Sequence, residues 1–401
     1  MNRRRTQLDI AIVGGGVVGT TAALLLADLG LQVALVEAAL PPRWQADRPD
    51  LRVYAFAPDN AACLDRLGIW QGILAARVQP YRHMRVWDAA GGGELRFDAD
   101  AMGRRELGWI VEHRLLVDRL SAALPDAGVR VLCPARVDAL EQDDDGVRLR
   151  LEDGRTLDAR IAIAADGPDS TLRALAGLDV ERHDYGQRGI VAYVETARQH
   201  DGTAWQRFLP GGPLAFLPCA DSVGDAAPGC TSSIVWTVSD AESTRLLALD
   251  DPSFNDALTR ALGARLGNAE VRSARVAFPL RRQLVQEPMR GRVLVVGDAA
   301  HVVHPLAGQG VNLGLRDVTA LGDTIGAALE ARSDWATSYR LARWARARKS
   351  DNAIAAYSYD AINRVFSNDR FAATLLRGAV LGAATRLPPV TRSLWRRAAG
   401  L

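Results

Sequence analysis

Lysine is nearly absent from this chain: Lys349 is the one lysine among 49 lysines and arginines. We read that first as compositional bias and only second as function. An excess of either charge is missing too. The formal net charge is +2, which excludes bulk electrostatic attraction to nucleic acid, and no nucleic-acid partner is expected. Cysteine is sparse. Cys63, Cys133, Cys219 and Cys230 include no C-x-x-C pair, which argues against a zinc knuckle or a redox dithiol. Reduced thiols are the expectation, although Cys219 and Cys230 are close enough in sequence to pair. No run of roughly 18 apolar residues occurs, so no membrane-spanning helix is expected. The basic start Met1–Arg5 with its apolar continuation resembles a signal peptide, but Gly14-Gly15-Gly16 interrupts it. It reads better as a first buried strand.

What is present is a chain of 401 residues, 48% apolar and 24% charged. That length suggests two lobes with a substantial core. Asp9–Val13 is a short apolar run, followed by glycines and a small-residue helix from Thr20 to Leu29; Gln32–Val36 is a second apolar strand, ending at Glu37. This is a β-α-β unit. Leu51–Leu74 and Trp109–Leu124 both read as helical. Arg82–Trp87 and Glu94–Phe97 read as strands around a glycine turn, Val129 to Glu152 as a meander, and Ile161–Ala165 and Val293–Val296 as buried strands. Between Gly189 and Val238 the pattern turns strand-rich, which suggests an inserted lobe. From Asn312 onward helical periodicity dominates.

Three motifs carry the chemistry. Gly14-x-Gly16-x-x-Gly19 follows a strand and opens a helix, the context in which the pattern binds a dinucleotide. The first glycine permits the tight turn, the second lets a pyrophosphate approach, and the third lets helix and strand pack closely. Phosphates then sit at the helix N-terminus. Glu37 is placed to accept hydrogen bonds from ribose hydroxyls. The second motif is Asp166-Gly167-Pro168-x-Ser170-x-x-Arg173. A plain Asp-Gly turn would explain its start but leaves Ser170 and Arg173 without a role. The third runs from Gly297-Asp298 through His301, then from His304-Pro305 to Gly308-Gln309-Gly310-Val311-Asn312. Its strand delivers Asp298 to the edge where cofactors bind in open α/β sheets. A metal at Asp298, His301 and His304 is the competing reading. Pro305 and the glycines fit a cofactor loop better, and no metal is expected.

In this order and spacing the motifs resemble the class A flavin monooxygenases of the para-hydroxybenzoate hydroxylase type, and most closely the ubiquinone-biosynthesis hydroxylase family (UbiH/UbiF/VisC type). The likeness rests on the segment from His304 to Asp317, H-P-L-A-G-Q-G-V-N-L-G-L-R-D, and covers nearly the whole chain. Asp50-Leu-Arg52-Val-Tyr-Ala55 resembles the family's D-x-R-x-x-A, and Leu107 to Arg114 its L-G-x-x-x-E-x-R. Asp360 to Ser367 resembles the tail segment D-G-L-N-R-L-F-S, with Ala361 in place of glycine.

The resemblance implies an α/β fold in which a Rossmann-like FAD-binding domain (1–77, 107–182 and 281–345) carries an inserted β-sheet substrate domain (78–106 and 183–280), with a C-terminal helical segment (346–401). Gly14, Gly16, Gly19 and Glu37 would hold the ADP half of FAD. Arg52 and Arg114 would approach the flavin or its phosphates. Asp166 and Gly167 match a motif associated with FAD and NAD(P)H, and Asp298 would bind the ribityl chain. Pro305, Gly308 and Gly310, with Val311 and Asn312, would line the flavin ring through their backbone. The implied reaction is reduction of FAD by NAD(P)H, followed by transfer of one atom of dioxygen, through a flavin C4a-hydroperoxide, to the ring of a polyprenylated phenol. The residue that orients the phenol is left open among His83, Tyr185 and Tyr193. Trp205, Phe208, Phe216 and Trp236 either roof the substrate or form a sheet core. Such a substrate implies a cytoplasmic protein peripheral at the inner membrane, with other ubiquinone-biosynthesis proteins or a second copy as candidate partners. The arginine-bearing stretch from Phe371 to Leu401 suits an interfacial helix or a packed terminal one. The alternatives are a hydroxylase of a small soluble aromatic and a non-catalytic FAD-binding subunit. A flavin halogenase is disfavoured by the lack of W-x-W-x-I-P.

Overall fold

The computed structural model describes residues 8–89, 93–221, 227–303, 310–366, 392, 395 and 396. Strand Leu8–Val13, helix Val17–Asp28 and strand Val33–Val36 form the expected β-α-β unit, with the strands parallel from Ile10↔Val33 to Val13↔Val36. On the other side of the first strand lies Thr156–Ala164, also parallel, and beyond it Val293–Val295. Arg130–Leu132 extends the parallel order past Val36. The sheet is buried on both faces, so these strands are apolar at every position rather than at alternate ones. Ile10 and Ile12 pack into the cluster formed with the helices, while Ala11 and Val13 pack into the cluster under the meander. Parallel strands share one C-terminal edge. The turns that follow Val13, Ala164 and Val295 therefore leave three adjacent strands on the same side.

Two segments differ from expectation. Val53–Phe56 is a strand, followed by helices Pro58–Arg66 and Trp70–Leu74. Gly108–Glu112 is also a strand, and the helix begins only at His113. They pair with each other antiparallel, Val53↔Glu112 to Phe56↔Trp109, and Val78–Tyr81 pairs on the far side of Gly108–Glu112. The partners are far apart in sequence, so local periodicity does not reveal the pairing, whereas β-branched and aromatic residues fit a half-buried pleated surface well.

The second lobe is a nine-stranded sheet. Period-2 alternation divides its side chains. Leu214 and Phe216 face the helices Asp240–Leu247 and Asp251–Leu262, while Ala215 and Leu217 face the small sheet. Two strands, Val180–Thr196 and Val276–Val285, run from one lobe into the other, paired from Val180↔Val285 to Val191↔Val276 with a shift between Asp184 and Arg188. The boundaries expected at 182–183 and 280–281 thus fall inside continuous strands. The boundary expected at 345–346 falls inside the helix Ser338–Phe366. Of the stretch from Phe371 onward only 392, 395 and 396 are described; Trp395 is buried against Ala99 and Leu107. No described helix is long and apolar enough to cross a membrane.

Candidate functional site

The three turns line one cavity of about 540 Å³. Gly14 sits at φ +109°, and a Cβ there would lie 2.3 Å from the Ala165 carbonyl oxygen, so the first and second turns touch through backbone alone. A Cβ on Gly19 would lie 2.0 Å from the Gly14 carbonyl oxygen. Any side chain at either position would push the helix off the strand. Gly16 is the N-cap of the helix and lines the cavity without a side-chain partner. Glu37 also lines the cavity; its carboxylate accepts the N–H groups of Gly15 and Ala39. Each oxygen keeps a further lone pair for a hydroxyl donor.

The second turn resolves what the sequence left without a role. The Asp166 carboxylate accepts the Ser170 hydroxyl and the Thr171 and Leu172 N–H groups. Ser170 in turn accepts the Arg173 N–H at 3.0 Å, capping the short helix Thr171–Leu175. Buried Arg173 reaches across and donates to the Ala299 carbonyl at 2.7 Å. The second motif thereby braces the third. Asp166 and Gly167 both line the cavity, Gly167 at φ +86°.

Asp298 lies in the turn Gly297–Ala299, lines the cavity, and faces Arg52 at 3.8 Å. That turn is held from behind. The Asp317 carboxylate, 1% exposed, accepts the Gly297 N–H at 3.1 Å, His301 Nε2 at 2.6 Å, Arg348 Nε at 2.8 Å and Asn352 Nδ2 at 3.0 Å. Burial alone would raise its pKa, but His301, Arg348 and Asn352 override that and lower it to about 2. Arg348 and Asn352 come from the Ser338–Phe366 helix, so this late helix supports the cofactor-side turn. His301 Nε2 is committed to Asp317, and His304 lies outside the described residues.

Asp50 organises the arginines. Its carboxylate accepts the backbone N–H groups of Arg52 (3.1 Å) and Arg114 (3.0 Å), and its own N–H donates to Glu112. Arg52 lines the cavity; Arg114 turns toward Asp50, Nε to Oδ2 3.8 Å, and is not among the lining residues. Sequence reasoning missed two residues of this wall, Tyr54 and His113, which are hydrogen-bonded to each other at 3.0 Å. Burial raises the Tyr54 phenol well above its ordinary range. Burial, then Arg52, lowers the His113 imidazole to about 4. Strand alternation was the available signal, since Arg52 and Tyr54 share a face.

Gly310 begins the helix Gly310–Glu330, and Val311 lines the cavity. The Asn312 side chain is spoken for: Oδ1 accepts from Ala57 N and Asn60 Nδ2, and Nδ2 donates to the Ala55 carbonyl. Pro305 and Gly308 lie outside the described residues. Among the candidates for orienting a phenol, Tyr193 is 4% exposed and donates to the Asp50 carbonyl at 3.0 Å. His83 pairs with Asp98 on a hairpin, and Tyr185 stacks edge-on against His183. None of the three lines the cavity. Phe216 and Trp236 are sheet core with Trp205 packed against them, and Phe208 packs with Val86, so these aromatics do not roof a substrate. Alternation places Tyr193, Leu217 and Cys219 on the face toward the small sheet instead.

The cavity combines the Gly14 turn, which tolerates no Cβ, a helix N-terminus, carboxylates at Glu37 and Asp298, and the Arg52 guanidinium. Anionic phosphate and sugar hydroxyls are complementary to that set, and a flavin dinucleotide carries both. Comparisons with known proteins agree. Residues 7–352 match the family model described as FAD binding domain. Over 393 residues the chain is 37% identical to a ubiquinone hydroxylase, UbiL, of Rhodospirillum rubrum, covering 98% of this chain and 89% of the relative. It is 35% identical over 397 residues to the 3-demethoxyubiquinol 3-hydroxylase of Escherichia coli, covering 98% of each. Among solved structures it resembles p-nitrophenol 4-monooxygenase PnpA from Pseudomonas putida, with a TM-score of 0.78, 20% identity and 98% of each chain covered, a likeness of fold.

Proposed function

This chain belongs to the FAD-binding family of aromatic-ring monooxygenases, and from that premise we propose that it hydroxylates the ring of a polyprenylated phenol on the route to ubiquinone. The cofactor is FAD, with NAD(P)H as reductant and dioxygen as oxidant. The observation that carries the reading is the convergence of three distant turns, after Val13, Ala164 and Val295, on one cavity whose donors suit FAD. The substrate class comes from the ubiquinone hydroxylases to which the chain is similar over nearly its full length.

FAD supplies the redox chemistry that activates dioxygen; the chain supplies binding, orientation and exclusion of water. Gly14 and Gly16 leave room for the pyrophosphate at a helix N-terminus that Gly19 lets pack close to the strand, where free N–H groups and the dipole favour its charge. Glu37 accepts ribose hydroxyls while its other lone pairs hold Gly15 and Ala39 in place. Asp298 accepts ribityl hydroxyls, and Arg52 balances its charge. The N-terminus of the Gly310–Glu330 helix offers N–H donors to negative charge on the ring.

The test has two arms. Expression of the chain in strains lacking single ubiquinone hydroxylases should restore ubiquinone in one of them, and the intermediate accumulated in that strain names the ring carbon. Rescue of none, with turnover of lipid-free hydroxybenzoates, would overturn the substrate assignment. Asp298→Ala should purify without yellow cofactor; full flavin retention would remove Asp298 from the binding set.

A further inference from the structure

Tyr54 and His113 line the cavity but belong to none of the three turns. The Tyr54 hydroxyl and His113 Nδ1 are 3.0 Å apart, with the rings edge-on at 5.8 Å. On the other side of Tyr54, the Arg52 guanidinium lies 5.4 Å from the ring centroid. A guanidinium only donates. Arg52 thus offers the Tyr54 proton no acceptor, and His113 Nδ1 is the one hydrogen-bond partner of this buried hydroxyl among the described residues, so Tyr54 donates to it. An imidazole that accepts at Nδ1 carries its own proton on Nε2. Among the described residues, Nε2 has no hydrogen-bond partner.

We infer that Tyr54 and His113, beside Arg52, form a directed hydrogen-bond relay that presents His113 Nε2–H, as a neutral donor, to a phosphate or hydroxyl oxygen of the dinucleotide in the cavity. This rests on the reading of the cavity as the FAD site and adds to it a cofactor-binding residue flanked by the two arginines. A free imidazole would change charge near neutral pH. Here the groups facing the ring are Tyr54 from the strand, Arg52 just before it, Arg114 from its own helix and Asp50 from the preceding loop, with Asp298 across from Arg52. Burial and Arg52 outweigh Asp50, so the ring stays uncharged down to about 4. The relay thus gives a donor whose strength does not vary over the physiological range.

The experiment measures FAD dissociation constants of the apoprotein by flavin fluorescence, from about pH 5.5 to about pH 8.5. Wild type should bind FAD with an affinity that is flat across neutrality. His113→Leu should bind about 10-fold more weakly, the loss expected for one hydrogen bond to a charged oxygen, while the apoprotein melts as wild type does. His113→Gln, whose amide can donate in the same direction, should recover most of that affinity. Tyr54→Phe should weaken binding and introduce a pH dependence, because the imidazole proton is no longer directed. If His113→Leu does not fold, the Gln and Phe variants decide. Unchanged affinity in the variants, or wild-type affinity that falls as pH rises through neutrality, overturns the relay. Failure of wild type to bind FAD overturns the cavity assignment, and the relay with it, before any variant is made.

Discussion

Asp317→Asn replaces one oxygen of the buried carboxylate with an NH₂ group and leaves shape nearly unchanged. Both oxygens of Asp317 face donors: Arg348 and Asn352 on one side, His301 and the Gly297 N–H on the other. An amide can serve only one side as acceptor. On the other side His301 can exchange tautomers and accept, but the Gly297 N–H cannot. The stranded donor costs about 1–3 kcal/mol. Arg348, 9% exposed in its side chain, also loses its buried counter-charge, although Asp351 still holds one terminal nitrogen. Breaking one side of a buried ion pair brings the total to about 3–5 kcal/mol. The assay is thermal and urea unfolding of the apoprotein, followed by FAD titration. The variant should unfold earlier and bind FAD more weakly, because the Gly297 anchor behind Asp298 is gone. The pH dependence gives a second check. The native carboxyl is lowered to about 2, below the roughly 3.9 of an unfolded chain. Its contribution is therefore complete above about pH 4 and lost as pH falls toward 2, so wild type and variant should converge in acid. Equal midpoints at neutral pH, or a gap that stays constant down to pH of about 2, would refute the account. Adding Arg348→Met should recover part of the loss, since a stranded cation costs more than an apolar replacement.

Two further outcomes follow from single atoms. Gly14→Ala sets a methyl against the Ala165 carbonyl at a positive φ, and should cost about 3 kcal/mol or more and abolish FAD binding; a yellow, normally folded variant would contradict the cradle. Tyr193→Phe removes the hydrogen bond to the Asp50 carbonyl, and should cost about 1 kcal/mol in a denaturant titration yet keep ring hydroxylation in a product assay; loss of turnover with intact FAD binding would return Tyr193 to the list of phenol-orienting residues.

The parallel strands were legible because burial on both faces writes them as unbroken apolar runs, from Ile10 to Val13 and from Val293 to Val295. Val53–Phe56 and Gly108–Glu112 were not, because each abuts a helix and is stabilised by pairing with strands distant in sequence. The three turns could be read from glycines and carboxylates within a few residues. The Tyr54–His113 contact spans 59 residues and the Arg173–Ala299 bond 126, so no local pattern announces either. The aromatic roof failed for a simpler reason. Trp236 and Phe216 are large and apolar whichever way the strand turns them, and only the register decides that they face Phe254 rather than the cofactor lobe.

The two strands that pass unbroken between the lobes bear on how the enzyme opens. A loop hinge swings freely, but a paired ribbon resists and recoils. Any widening between the sheets must bend Val180–Thr196 and Val276–Val285 together, and their ladder of paired residues is interrupted between Asp184 and Arg188. Any opening between the lobes is therefore flexure of that ribbon. A chimaera that exchanged the substrate lobe would have to cut the ribbon, and with it the spring.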